Sequence, residues 1–327
     1  MDVTRREFED LVGAYALDAV DPDEAAAIER YLDGDPRAAA EAGRLRAAAA
    51  WIRVAGALEP PPLLRERLLA ATRTDPASPR DCFLDVTGRF GDLAARLTDD
   101  ELARPTHNGL RVRELIAHLA ALDEAFASEV RAPRRTFIGA EHVAQITARA
   151  LPAVARFGRD ELVAHWRACR DDLVAAVDAA PPGTAAAGYP VADVLVIRAF
   201  EAWTHADDIR AATGRPLEVP RPAVLRTMAE LAMRSLPLAL AVANRARPGA
   251  TARIVLTGAG GGTWTVPCAP GVDPARAAPA VELRASVVDW CRRFADRLTE
   301  GELVYDATGD VDLARDLVAA APAFAGL

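Results

Sequence analysis

Apolar positions recur at helical spacing along most of the chain. Phe8, Leu11, Val12 and Tyr15 form a first stripe. Asp21-Pro22-Asp23-Glu24 reads as a helix start, with Asp21 as cap and Pro22 in the first turn. Gly34 and Pro36 break that helix, and an alanine-rich one follows from about Arg37 to Leu58. Pro60-Pro61-Pro62 should end it, with a short fourth helix over Leu63 to Thr72. Phe83, Val86, Phe90, Leu93 and Leu97 make a further stripe, and Leu115, Ile116, Leu119 and Leu122 another. Ala140 to Ala179 predicts a long helical stretch, broken near Pro152 and restarting after Gly158. Val191 to Thr213 predicts a last strong helix, with Gly214 in the terminating position. The character then changes. After a helix over about Ala223 to Asn244, Ala252–Leu256 and Thr263–Val266 read as strands joined by the turn Gly258–Gly262, and Ala280–Arg284 alternates as a third strand. Helices are expected at about Ser286–Leu298 and Val311–Ala320.

Punctuation divides this pattern into three segments. Thr74-Asp75-Pro76-Ala77-Ser78-Pro79 is polar and proline-rich, and Pro216, Pro220 and Pro222 cluster after Gly214. The expected organisation is a small helical domain over 1–73, a linker over 74–80, a four-helix bundle over 81–215 and a small α+β domain over 216–327. The fold class is therefore multidomain and mainly α.

Composition narrows the chemistry. The net charge is −8, which disfavours broad nucleic-acid binding. All 39 basic residues are arginine, so a Schiff-base lysine and a Walker-type phosphate lysine are both excluded. The glycine run 258–262 precedes a strand and no Gly-Lys-Ser/Thr follows, so it is a turn. Cys82, Cys169, Cys268 and Cys291 lie far apart, without a Cys-x-x-Cys pair. Reduced thiols in a cytoplasm are the expectation. The N-terminus is charged rather than signal-like, and the run Leu236–Ala243 is far short of the about 20 residues a membrane span needs. No membrane association is expected.

The candidate chemistry rests on histidine. Glu201-Ala-Trp-Thr-His205 places a carboxylate and an imidazole one helical turn apart on one face. His118, on the helix containing Leu115 and Leu119, is positioned to add a third ligand from across a bundle. Two histidines and a glutamate leave an open position on a metal ion, as a catalytic site requires. Asp208, three residues after His205, is a candidate to orient its imidazole. His107, in the loop before that helix, is a candidate for lining the pocket, whereas His142 and His165 read as surface or packing residues. No cysteine has a base-plus-orienter pattern nearby in sequence, so a cysteine nucleophile is not expected.

Two segments carry a family resemblance. Gly109-Leu110-Arg111-Val112-Arg113-Glu114-Leu115-Ile116-Ala117-His118-Leu119 resembles the GWTVRDLVAHL segment of the mycothiol-dependent maleylpyruvate isomerases, which have a DinB-like bundle. The stretch from Arg198 to Gly214, with Glu201, His205 and Asp208, resembles that family's E-x-x-x-H-x-x-D segment. Residues 309–314 and 321–324 match the closing pattern of its C-terminal domain. The resemblance implies a divalent metal, usually zinc, on His118, Glu201 and His205, and mycothiol as the thiol cofactor or co-substrate. It also implies an electrophilic small-molecule substrate, attacked by the activated thiol in an isomerase or S-transferase. Arg297 sits where the family often has an arginine facing the site, suited to holding a carboxylate of substrate or thiol. The chain departs from the pattern at Leu110 and Asp207, where tryptophans are common.

Residues 7–47 resemble the N-terminal domain of zinc-binding anti-sigma factors, through Leu11–Glu24 and Glu29–Pro36. The zinc-ligand positions of that family are Tyr31, Asp35 and Ala38 here, so the metal motif is degenerate and apolar packing must hold the fold. The resemblance implies a sigma factor or another protein as a partner of residues 1–73. The alternative to an enzyme is thus a non-catalytic metal or thiol sensor, or an anti-sigma-like regulator, acting through that domain.

Overall fold

The computed structural model describes residues 3–17, 19–55, 74–106, 109–134, 139–271 and 278–324. The expected helix at Leu63–Thr72, the end of the third helix and His107 lie outside the described residues. The chain divides into two compact units, residues 1–72 and 73–327.

In the first unit, α1 (Arg5–Ala16), α2 (Pro22–Gly34) and α3 (Pro36–Ala55) surround a small core. Thr4 and Asp21 cap α1 and α2 through reciprocal bonds with Glu7 and Glu24. Phe8, Val12, Tyr15, Ile28, Ala38 and Ala42 are buried together. Tyr31, Asp35 and Ala38 each take a structural part. Tyr31 packs its ring 5.3 Å from Phe8, Ala38 is fully buried, and Asp35 Oδ1 accepts from the Arg37 and Ala38 amides at the start of α3.

The second unit begins with the helices α4 (Pro79–Ala94), α5 (Asp99–Leu102), α6 (Val112–Arg131), α7 (Ala140–Val154), α8 (Arg159–Asp178) and α9 (Val191–Thr213). Ser78 caps α4, with Pro79 in its first turn. The stretch before it is held rather than free: the Ala77 amide donates to the Ala223 carbonyl, and Thr227 Oγ1 donates to the Ala77 carbonyl. The predicted long helix over 140–179 is divided, α7 ending at Val154 and α8 starting after Gly158. A two-residue ladder, β1 (Ala185–Ala186) with β2 (Tyr189–Pro190), leads into α9. Gly214 ends α9 at φ 71°, a left-handed conformation that suits glycine.

After α10 (Pro222–Val242) comes a four-stranded sheet of order β4-β3-β5-β6, made of β3 (Thr251–Thr257), β4 (Gly262–Pro267), β5 (Val281–Ser286) and β6 (Tyr305–Gly309). β3 pairs antiparallel with β4 and parallel with β5, and β5 pairs antiparallel with β6. The strand β6 and the parallel pairing are not visible in the alternation of residues. The helix α11 (Val287–Phe294) starts directly from β5, and α12 (Val311–Ala320) directly after β6. In the hairpin turn, a Cβ on Gly260 (φ 89°) would sit 2.4 Å from the Pro222 carbonyl oxygen, so this turn abuts the start of α10.

Two cores fill this unit. One lies inside the bundle around Phe90, Leu97, Leu115, Ile116, Leu119, Trp166 and Ile209, with the Phe90 and Trp166 rings 4.8 Å apart. The other is continuous from the bundle into the sheet. It joins Phe83, Phe200 and Trp203 to Met228, Leu236, Ile254, Leu283, Trp290 and Leu317. Bundle and sheet therefore exclude water together, which gives α9 a rigid setting on both sides. No described helix is long and apolar enough to cross a membrane.

Candidate metal centre

The helices α6 and α9 bring His118, Glu201 and His205 together. One ligand atom from each lies within 4.8 Å of the others. Glu201 Oε2 is 3.5 Å from His118 Nε2 and 3.9 Å from His205 Nε2. The two rings stand edge to face, with centroids 5.2 Å apart. An ion bound tetrahedrally at about 2.0–2.2 Å needs donors about 3.3–3.6 Å apart, so modest closure of the present spacing suffices.

The hydrogen-bond network aims the imidazoles. Thr147 Oγ1, on α7, donates to the Val143 carbonyl at 2.8 Å. Its only proton is thus committed, and it accepts from His118 Nδ1 at 2.7 Å. His205 Nδ1 donates to Asp208 Oδ2 at 2.9 Å, and a carboxylate can only accept. Both histidines therefore carry Nδ1–H and turn the Nε2 lone pair inward. Two lone pairs and a carboxylate oxygen then face one another, an arrangement that calls for a cation between them. The donor set fits a divalent ion of intermediate softness, zinc among them.

Electrostatics favour the ligating protonation states. Burial raises the Glu201 carboxyl, but the hydrogen bonds and charges around it, the Arg198 guanidinium among them, outweigh it and hold it well below the usual carboxylate range. Burial lowers His205, and this prevails over the opposing pull of Asp208 and Glu201. Burial also pushes Asp208 up, yet the bonds from His205 and Arg297 bring it below its ordinary value. These directions set a pH dependence. His205 has a folded pKa below the unfolded value of about 6.5, so on acidification the unfolded chain takes up that proton first. The metal-free protein should lose stability as pH falls below about 6.5. The Asp208 contribution should be lost only below about 4, where its unfolded carboxyl titrates. Thermal melting between pH 7 and 5 should show this slope, and His205→Gln should flatten it; an equal slope in both proteins would refute the assignment.

Beside the three residues opens a cavity of about 400 Å³. Val143, Ile197, Phe200, Leu231, Phe294 and Pro322 line its apolar walls, with Thr204, Asp296 and Arg297 among its polar groups. Arg297 follows α11 and reaches the site as the sequence suggests, but its guanidinium already holds a carboxylate. Nε and Nη2 donate to Asp208 Oδ1 and Oδ2, each at 3.0 Å, and Nη1 donates to the Ala295 carbonyl. The neighbouring Asp207, where the family pattern has tryptophan, accepts from Arg292 of α11 at 3.1 Å. Consecutive aspartates of α9 thus grip two arginines from the α+β segment. Leu110, the other departure, packs against the bundle core.

The remaining candidates separate from the site. His165 lies 3.9 Å from Cys169 Sγ and packs edge-on against Phe157. The four thiols are free, and burial pushes Cys82 and Cys291 up to about 12 and Cys169 and Cys268 up to about 11. They stay protonated at neutral pH and are poor nucleophiles. Sequence reasoning missed Thr147, Asp123 and the role of Arg198. For Thr147 and Asp123 no local signal exists, whereas Arg198 stands one turn before Glu201 on an otherwise apolar stretch.

The family profile described as the mycothiol maleylpyruvate isomerase N-terminal domain matches residues 83–210, which contain all three candidate ligands. The chain belongs to the mycothiol maleylpyruvate isomerase family. This family member is 30% identical over 264 residues to the uncharacterised protein Rv0036c of Mycobacterium tuberculosis H37Rv, covering 76% of this chain and 97% of that one. The uncharacterised protein MT0041 of strain CDC 1551 / Oshkosh matches to the same extent. Among solved structures, the crystal structure of the mycothiol-dependent maleylpyruvate isomerase and that of a histidine-to-alanine mutant superpose with TM-scores of 0.45 and 0.47. Both are 16% identical to this family member, over 70% of its chain and 91% of theirs.

Proposed function

We propose that this protein is a divalent-metal, mycothiol-dependent isomerase acting on a small electrophile, with His118, Glu201 and His205 as the metal ligands and zinc as the ion. The observation that carries the reading is the convergence of two inward Nε2 lone pairs and the Glu201 carboxylate on the wall of a cavity of about 400 Å³. Family membership supplies the thiol.

When bound, the ion supplies a Lewis acid beside which a thiol ionises near neutral pH. The chain's own residues do the rest. Thr147 and Asp208 keep the two imidazoles neutral at Nε2 and correctly turned. Arg297 immobilises Asp208 and thereby His205. Phe200, Leu231 and Phe294 give the cavity an apolar wall that excludes water from the reacting carbon. The thiol's sulfur adds to an activated carbon of the substrate, a double bond becomes single and rotates, and expulsion of the same sulfur restores the double bond. An S-transferase would retain the adduct, so the two outcomes differ only in that last step.

Elemental analysis and an assay with mycothiol and a cis-configured unsaturated keto acid test the reading together. About one zinc per chain and isomerisation dependent on both zinc and thiol are expected. A protein that takes up no divalent metal and shows no thiol-dependent turnover would refute it.

A further inference from the structure

Arg198 lies on α9 one turn before Glu201, with its side chain 1% exposed. Its three nitrogens reach three different acceptors. Nε donates to Asp123 Oδ1 at 2.8 Å, Nη1 to Glu201 Oε2 at 3.1 Å and Nη2 to the Leu119 carbonyl at 3.2 Å. Asp123 is itself 2% exposed, and both Asp123 and Leu119 belong to α6, the helix of His118. The ring of Phe126, also on α6, lies 5.9 Å from the guanidinium carbon. One planar group therefore spans from the helix with one candidate ligand to the helix with the other two. It also touches the carboxylate oxygen that faces both imidazoles.

Packing alone does not account for such a group. A buried ion pair often stabilises no more than apolar residues of similar volume would, so its geometry points to what it specifies rather than to what it adds in stability. Here it specifies the rotamer of Glu201 and the spacing of α6 from α9. A lysine could not do this, because an ammonium presents no planar fork to three acceptors at fixed angles.

We propose that Arg198, locked in place by Asp123, is the positioning residue of the metal centre, holding Glu201 Oε2 toward the ion and setting the distance between His118 and the Glu201–His205 pair. This rests on the reading of those three residues as metal ligands and adds the device that preorganises them. Thr147 and Asp208 orient one imidazole each, whereas Arg198 acts on the carboxylate and on the helix spacing together.

The test compares the parent, Arg198→Lys and the double variant Asp123→Leu/Arg198→Met, which removes the buried pair as a whole and leaves Glu201 without its guanidinium partner. The readouts are zinc affinity by competition with a chromophoric chelator, the absorption spectrum of the cobalt(II)-substituted protein, and thermal melting of the metal-free form. Both variants should melt cooperatively, bind zinc about 10–100-fold more weakly than the parent and show an altered cobalt spectrum. Arg198→Lys keeps the charge, so it serves even if the double variant does not fold. Parent-like affinity and an unchanged cobalt spectrum in a folded variant would overturn the proposal. A parent that binds neither zinc nor cobalt would instead overturn the metal reading on which it stands.

Discussion

His205→Ala is expected to purify without the divalent ion expected in the parent, and to lose thiol-dependent turnover by about three orders of magnitude or more. That factor corresponds to about 4 kcal/mol of transition-state stabilisation. The physical reason is the donor count. Three protein ligands are the usual minimum for a catalytic zinc, and two leave the ion to solvent. His205 is also the residue through which Asp208 and Arg297 act on the site, at 2.9 Å from Asp208 and with Arg297 clamping Asp208 from the other side. Its removal strands that pair with nothing to orient. His165→Ala is the matched control, since its ring packs on Phe157 and Cys169, and it should keep the metal. Metal retention by His205→Ala at the parent's stoichiometry would show that the ion, if present, sits elsewhere.

Asp123→Ala is expected to be the most damaging single change to stability among the residues around the site. It would leave the Arg198 guanidinium buried with its shortest partner gone. Glu201 remains as its carboxylate partner, and breaking a buried ion pair by removing one partner costs about 3–5 kcal/mol. For a unit of this size that corresponds to a fall of roughly 10 °C in melting temperature. The double variant Asp123→Leu/Arg198→Met should lose less, because the two most deeply buried charges go together and the one left, Glu201, has a side chain 30% exposed at the cavity. Melting curves of the two metal-free proteins decide the matter: equal losses would show that pairing is irrelevant and volume alone counts. The contrast also separates two roles of the pair, since the double variant is expected to restore stability without restoring metal affinity.

These two predictions draw on different depths of the molecule. The candidate ligands were legible in the chain. Glu201 and His205 stand at i and i+4 on a helix, a spacing that fixes their mutual position with no tertiary information. His118 entered from an apolar helix stripe and from the resemblance of residues 109–119 to the family segment. The stripes of α4 and α6, the Gly214 terminus and the β3–β4 hairpin were legible for the same reason, that each is decided within about one or two turns or one hairpin.

What surrounds the ligands was decided elsewhere. Asp123 and Arg198 are 75 residues apart, His118 and Thr147 are 29 apart, and Arg297 and Asp208 are 89 apart. No periodicity links such positions, because they meet only where α6, α7, α9 and the segment after α11 pack. Arg297 shows the difference well. The family resemblance placed it at the site as a receptor for an outside carboxylate, while packing gave it the carboxylate of Asp208. The same holds for β6 and for the parallel pairing of β3 with β5, since a strand partner is chosen by the sheet rather than by its own alternation. The continuous core from Phe83 to Leu317 is likewise a tertiary result, running across the Pro216–Pro222 punctuation that divides the two segments in sequence. Local spacing by itself determined which side chains can ligate, because helix geometry is short-ranged. Only the packed structure decided how they are aimed and held, because orientation requires partners that the chain brings from far away.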